Sequence, residues 1–288
     1  VSERNKGQTA FRVSGEEEQI PAKNFRPPHR MRFVRMIAIV LISGIVALSG
    51  MSLTYPPLAA EVCPNCMGFN NSGDQIFVEQ GMPAVRMQEA VETIGLARDR
   101  VRNFYRDVVG KPDIFVCGDD DCYRRIGGGG SRGMALLDIA LFLSPRGNTV
   151  TIAAHELSHI ELHRRIGITK AYRRMVPQWF DEGLAVFVSD DGRYLKPASA
   201  EDRCLASPDG PMPTTREAWV ESAQTSGLYA KAACRVSRWI SGHGGSDAVI
   251  ALLQAVANGT SFAEAYDRSD TAVPVARSMS SLQVLGSR

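Results

Sequence analysis

One short run of residues has the make-up of a metal site. His155-Glu156-Leu157-Ser158-His159 sets two imidazoles four positions apart with a carboxylate between them. Residues i and i+4 of a helix share a face, so both rings point the same way. Imidazole nitrogens bind Zn²⁺ at ~2.0–2.1 Å. Glu156 projects beside them, able to reach a water at the metal without being a ligand. The chain holds five histidines in 288 residues. Random order would give such a run in under ~1% of chains, so coincidence is a poor account of it.

A catalytic zinc needs a third protein ligand and one open position. Trp179-Phe180-Asp181-Glu182-Gly183-Leu184-Ala185 supplies two carboxylates in succession. Residues 160–181 lie between His159 and Glu182, enough to finish one helix, turn at Gly167 and return. The helical register that buries Phe180, Leu184 and Val188 leaves the choice between Asp181 and Glu182 open.

These groups need elements to position them. Thr149 to Arg165 reads as a helix, with Val150, Ala153, Ala154, Leu157 and Ile160 as its core-facing stripe and Gly167 past its end. A second helix starts near Pro177 and runs to about Val188. Upstream, apolar spacing predicts a helix over 83–107. Strands are expected at 113–117 and 134–143, with a turn at Cys117–Cys122 and a mobile glycine-rich loop from Gly127 to Gly133. That loop lacks the Gly-Lys-Ser/Thr of a phosphate loop. Residues 189–225 read as irregular, followed by helices at 228–241, 246–257 and 261–267. The expected class is α+β: a small sheet packed on the H-E-x-x-H helix, with a mainly helical C-terminal part.

The N-terminal region has a different character. Residues 1–35 form a polar, basic tail expected to be disordered. From Met36 to Ala60 there is no charged residue, and Arg26, Arg30, Arg32 and Arg35 precede the run. Residues 36–55 therefore read as a transmembrane anchor or a signal peptide, with Leu58-Ala-Ala60 as a passable cleavage site. In both readings the basic flank stays in the cytoplasm and the rest is exported. Residues 56–80 read as a linker and 81–288 as the folded domain. The formal charge of +2 divides into +4 over residues 1–60 and −2 over the remainder, so no nucleic-acid surface is indicated. All six cysteines follow residue 60, as suits an oxidising compartment. Cys117–Cys122 and Cys204–Cys234 are the favoured pairs. Cys63-Pro-Asn-Cys66 has a redox or a second zinc site as its alternatives.

His155–His159 followed by Trp-Phe-Asp-Glu-Gly-Leu-Ala resembles the gluzincin metallopeptidases, and within them the peptidase MA-like domain. Leu228-Tyr229-Ala230 and Gly259-Thr-Ser261-Phe-Ala-Glu-Ala265 match two further segments of that group in order. The resemblance spans about residues 83–267. It implies Glu182 as the third ligand of one Zn²⁺ per chain, with His155 and His159. It also implies that strand 134–143 is an edge strand able to pair with a bound peptide or protein substrate.

The expected activity is a zinc-dependent peptidase outside the cytoplasm, tethered to the membrane by its N-terminal helix or secreted after cleavage. Glu156 is its general base, taking a proton from water and passing it to the leaving amine. Tyr229 is the candidate for stabilising the oxyanion, with Tyr194, His243 and Arg193 as rivals. His163, one turn past His159, is a surface or supporting residue rather than a ligand. The competing function is an envelope sensor or binding module that keeps the fold without turnover.

Overall fold

The structure, a computed structural model, describes residues 34–40, 55–223 and 227–268. Residues 1–49 and 50–288 form separate units. In the first, residues 34–40 are helical (α1) and expose Val34, Met36, Ile37, Ile39 and Val40. The tail at 1–33 and most of the 36–55 segment lie outside the described residues. Among those described, no helix is long and apolar enough to cross a membrane.

The second unit is mixed α+β. Its helices are α2 (Pro56–Val62), α3 (Ala84–Tyr105), α4 (Asp120–Arg125), α5 (Val150–Ile166), α6 (Ile168–Tyr172), α7 (Gln178–Ser189), α8 (Arg216–Ala223), α9 (Leu228–His243), α10 (Ser246–Ala257) and α11 (Phe262–Arg268). Its strands are β1 (Phe69–Asn71), β2 (Ile76–Glu79), β3 (Asp113–Val116), β4 (Gly133–Leu136) and β5 (Ala140–Leu143). They form one sheet in the order β1-β2-β3-β5-β4. The three central strands are parallel, and β1 and β4 close the two edges antiparallel to their neighbours.

Strand side chains alternate between faces, and here both faces are covered. Ile114, Val116, Leu141 and Leu143 point into the main core with α3 and α5. Phe115, Phe142 and Ala140 point the other way, toward Phe69, Ala60 and Tyr123. Phe115 stacks on Phe77 at 5.1 Å and on Phe142 at 4.8 Å, a phenyl ladder across three strands.

Four sequence expectations change. Residues 56–80, read as a linker, hold α2, β1 and β2; Ile76 and Val78 alternate into the core and β2 pairs with β3. The Cys117–Cys122 turn is the start of a helix, because Asp119 accepts from Cys122 N at 2.7 Å and caps α4. The single strand 134–143 is a hairpin. Leu137 takes φ 50° and the chain reverses, so Met134 pairs with Phe142. The 189–225 stretch also contains α8.

The site depends on α5 and α7. Thr149 caps α5 by accepting from Ile152 N at 3.3 Å, and Gly167 ends it at φ 86°. On its back face the buried Glu161 accepts from Val109 N, Gly110 N and Arg165 Nε, which fastens α5 to the loop before β3. At the far end, Arg164 donates to Asp138 in the β4–β5 turn at 2.9 Å. Helix α7 approaches α9 so closely that a Cβ on Gly183 would lie 2.6 Å from the Ala232 carbonyl oxygen. Only glycine fits there.

Candidate metal centre

His155 and His159 project from one face of α5 into a cleft of about 720 Å³. Their Nε2 atoms are 3.1 Å apart. Glu182 on α7 brings Oε2 to 3.4 Å from His155 Nε2 and 3.6 Å from His159 Nε2. Ligands held at ~2.0–2.1 Å around a tetrahedral metal stand roughly 3.3 Å from one another. The three donor atoms therefore have the mutual spacing of one coordination face, and the group could hold a metal ion. Two nitrogens and one carboxylate oxygen form a donor set suited to such an ion.

The neighbouring side chains orient these donors. His159 Nδ1 donates to Asp181 Oδ1 at 2.6 Å, which leaves the Nε2 lone pair free to face the cleft. Asp181 Oδ2 lies 3.2 Å from His163 Nε2, and His163 Nδ1 lies 3.3 Å from the Leu137 carbonyl oxygen. A chain of contacts thus runs from the metal position through His159, Asp181 and His163 to the turn between β4 and β5. Gln178 donates to Glu182 Oε1 at 3.0 Å, one helical turn away, so that Oε2 is the oxygen turned to the histidines.

Charge follows the same plan. Burial alone would draw the His159 imidazole down, but the Asp181 and Glu182 carboxylates outweigh it and hold it well above the ordinary value. Burial raises both carboxyls, yet the histidines prevail, lowering Asp181 far below the usual range and Glu182 to about 2. Both acids are therefore ionised.

Glu156 lines the same cleft but is not among the three grouped donors. Its side chain passes over Gly133, the first residue of β4; a Cβ there would meet Glu156 Cγ at 2.7 Å. This edge strand borders the cleft, and so do Gly127, Gly129 and Gly130 of the glycine-rich loop. Tyr229 stacks on Tyr194 at 5.1 Å and meets Trp219 edge-on, and all three line the cleft. Burial and the nearby Glu182 raise the Tyr229 phenol, which stays a neutral donor. Arg193 also lines the cleft, its guanidinium held by the buried Asp191. His243 lies at the end of α9, stacked on Trp239, and is not part of the cleft lining.

Sequence reasoning brought together His155, Glu156, His159, Glu182 and Tyr229, and the structure gathers all five around one cleft. It left Asp181 as an alternative ligand; Asp181 instead faces the far side of His159. It missed Gln178 and Gly133. The four-residue spacing of Gln178 and Glu182 was the available signal for the first; nothing local signals the second. Comparison with family models, with curated proteins and with solved structures finds no match for this chain.

Proposed function

We propose that this protein is a zinc-dependent peptidase of gluzincin type acting outside the cytoplasm. The observation that carries the reading is the spacing of the His155, His159 and Glu182 donors at 3.1, 3.4 and 3.6 Å, with Glu156 beside them in the cleft and outside the donor set. A structural zinc site is closed by four protein ligands, whereas three ligands and a cleft leave a position open. A glutamate at that opening has no structural use.

Zinc held by these residues supplies Lewis acidity, which brings deprotonation of water within reach of neutral pH. Glu156 accepts the proton from the attacking water and delivers it to the leaving amine. Tyr229, which lines the cleft and is kept neutral, would donate to the developing oxyanion. β4 offers an open edge along the cleft, where an extended peptide gains main-chain hydrogen bonds. The three disulfides Cys63–Cys66, Cys117–Cys122 and Cys204–Cys234 are compatible with an oxidising compartment. With the apolar 36–55 segment they support an exported domain, tethered to a membrane or released by cleavage.

Metal analysis and proteolysis of the full chain test the reading. It predicts about one zinc per chain and cleavage of casein that stops with a chelator and returns with added zinc. Protein that holds zinc yet cleaves no member of a broad peptide panel would instead fit a binding module.

A further inference from the structure

The cleft carries a charge pattern that the chemistry at the metal does not use. Among its lining residues the only acids are Glu156, Asp181 and Glu182, all at the metal centre. Four arginines share the same lining: Arg132, Arg174, Arg193 and Arg216. This is not the composition of the domain, since beyond residue 60 acids outnumber basic residues, 27 to 25. Arg132 and Arg216 are exposed and form no ion pair among the described residues. Arg174 has only the exposed Glu217 at 3.4 Å, an arrangement worth little in water. Arg193 differs, because the buried Asp191 fixes its guanidinium at 2.9 and 3.0 Å through Nε.

The placement of these arginines fits an extended chain. Arg132 immediately precedes β4, at the end of the edge where Glu156 passes over Gly133. A strand laid antiparallel against β4 runs its C-terminal side past Arg132. Arg174 precedes α7, Arg193 follows it, and Arg216 opens α8. Guanidinium groups present paired N–H donors that match a carboxylate.

We propose that the cleft takes acidic peptides, with glutamate or aspartate side chains flanking the scissile bond and held by Arg132, Arg174, Arg193 and Arg216. The inference rests on the peptidase reading for the word scissile, but the charge preference is separable from turnover. Lysine-rich peptides are disfavoured chiefly by Arg132 and Arg216, which no carboxylate pairs among the described residues.

The test uses the full chain carrying Glu156→Gln to measure binding and the wild-type chain to measure hydrolysis. The probes are three quenched-fluorescent peptide libraries with a random centre and flanks of Glu, Gln or Lys. Exposed pairs are worth 0.2–1 kcal/mol, or about 1.4- to fivefold in affinity per arginine engaged. With Arg132 and Arg216 both engaged, the Glu set should therefore bind at least about twofold tighter than the Gln set, and the Lys set weakest. The advantage should shrink between 50 mM and 500 mM NaCl, as the Debye length falls from about 14 Å to about 4 Å. Arg132→Gln with Arg216→Gln should remove most of it at unchanged zinc content and melting temperature. Equal binding of the three sets, an advantage that survives the double substitution, or heparin binding as tightly as the Glu set overturns the proposal. If the Glu set binds and no set is hydrolysed, the peptidase reading fails and the ligand class stands. If all sets are hydrolysed equally, the reverse holds.

Discussion

Asp181 and Glu182 are neighbours in sequence with different tasks. Glu182 offers an oxygen to the metal position, while Asp181 holds the far nitrogen of His159. Groups that orient a metal's ligands typically contribute 10–100-fold in affinity. Asp181→Asn should therefore weaken zinc binding by about that factor, measured by competition with a chromophoric chelator. Glu182→Ala should lose tight binding altogether. An Asp181 variant that loses tight binding beside a Glu182 variant that keeps it would exchange the two assignments. Gly133 makes a separate prediction. A methyl at that position would meet Glu156 first, with Cγ, Oε1 and Cδ as its three nearest atoms. A misplacement of 1 Å can cost on the order of 10²-fold in rate, so Gly133→Ala should cut hydrolysis steeply while zinc stoichiometry stays the same. The histidine pair was legible because one helical turn separates the two rings. The ligand choice between 181 and 182 was not legible, because it depends on how α7 is rotated against α9, and that is set by the contact at Gly183.

At the scale of elements, the same contact predicts a stability effect. Gly183→Ala would put a methyl against the Ala232 carbonyl. Overpacking of this kind costs ~1–3 kcal/mol, visible as a lower urea midpoint with unchanged slope. Helix α2 makes a pH-dependent prediction. Burial, with Asp113 nearby, raises the Glu61 carboxyl from 4.5 to about 7, and its Oε2 is buried with no hydrogen-bond partner in the structure. The folded state then binds this proton more tightly than the unfolded chain. Its stabilising effect is complete below pH 4.5 and is lost as pH rises through about 7. Glu61→Gln should raise the melting temperature at pH 8 and leave it unchanged at pH 4.5. After discounting for its partial exposure, the gain is about 1 kcal/mol. The helices around the site were readable from spacing and from caps such as Thr149 and Gly167. β1 and β2 were not, since three- and four-residue strands among prolines, glycines and asparagines carry little periodicity and owe their form to pairing with β3. The hairpin was hidden in an apolar run with no glycine at its turn, where Leu137 takes the positive φ.

Across the whole molecule, two of the three disulfides tie a helix to the chain outside it, Cys122 in α4 to Cys117 and Cys234 in α9 to Cys204. Cys204–Cys234, with a sequence separation of 30, ties the irregular stretch after α7 to α9. The chain-entropy model gives about 3–4 kcal/mol for a loop of that size. Cys204→Ser with Cys234→Ser should lower stability by roughly that amount, and the loss should appear in denaturant unfolding under oxidising conditions. Cysteine count and the one-sided distribution along the chain pointed to an oxidising compartment, and the three disulfides are compatible with one. The favoured pairings Cys117–Cys122 and Cys204–Cys234 are present, with Cys63–Cys66 as the third. The arginine-lined cleft was not legible, because its four members come from separate segments between residues 132 and 216.

Turnover of the Glu156→Gln chain beside wild type, at equal zinc content, bears most directly on the peptidase reading. Glutamine keeps the shape of the side chain and removes the proton acceptor. Glu156 is not among the metal donors, so the variant should bind zinc as wild type does and keep its melting temperature. General acid–base groups contribute ~10²–10⁴-fold, so chelator-sensitive hydrolysis of casein or of the Glu-flanked peptides should fall by at least a hundredfold, on the order of the lower bound of that range. A zinc-loaded Glu156→Gln chain that cleaves as fast as wild type would contradict the account.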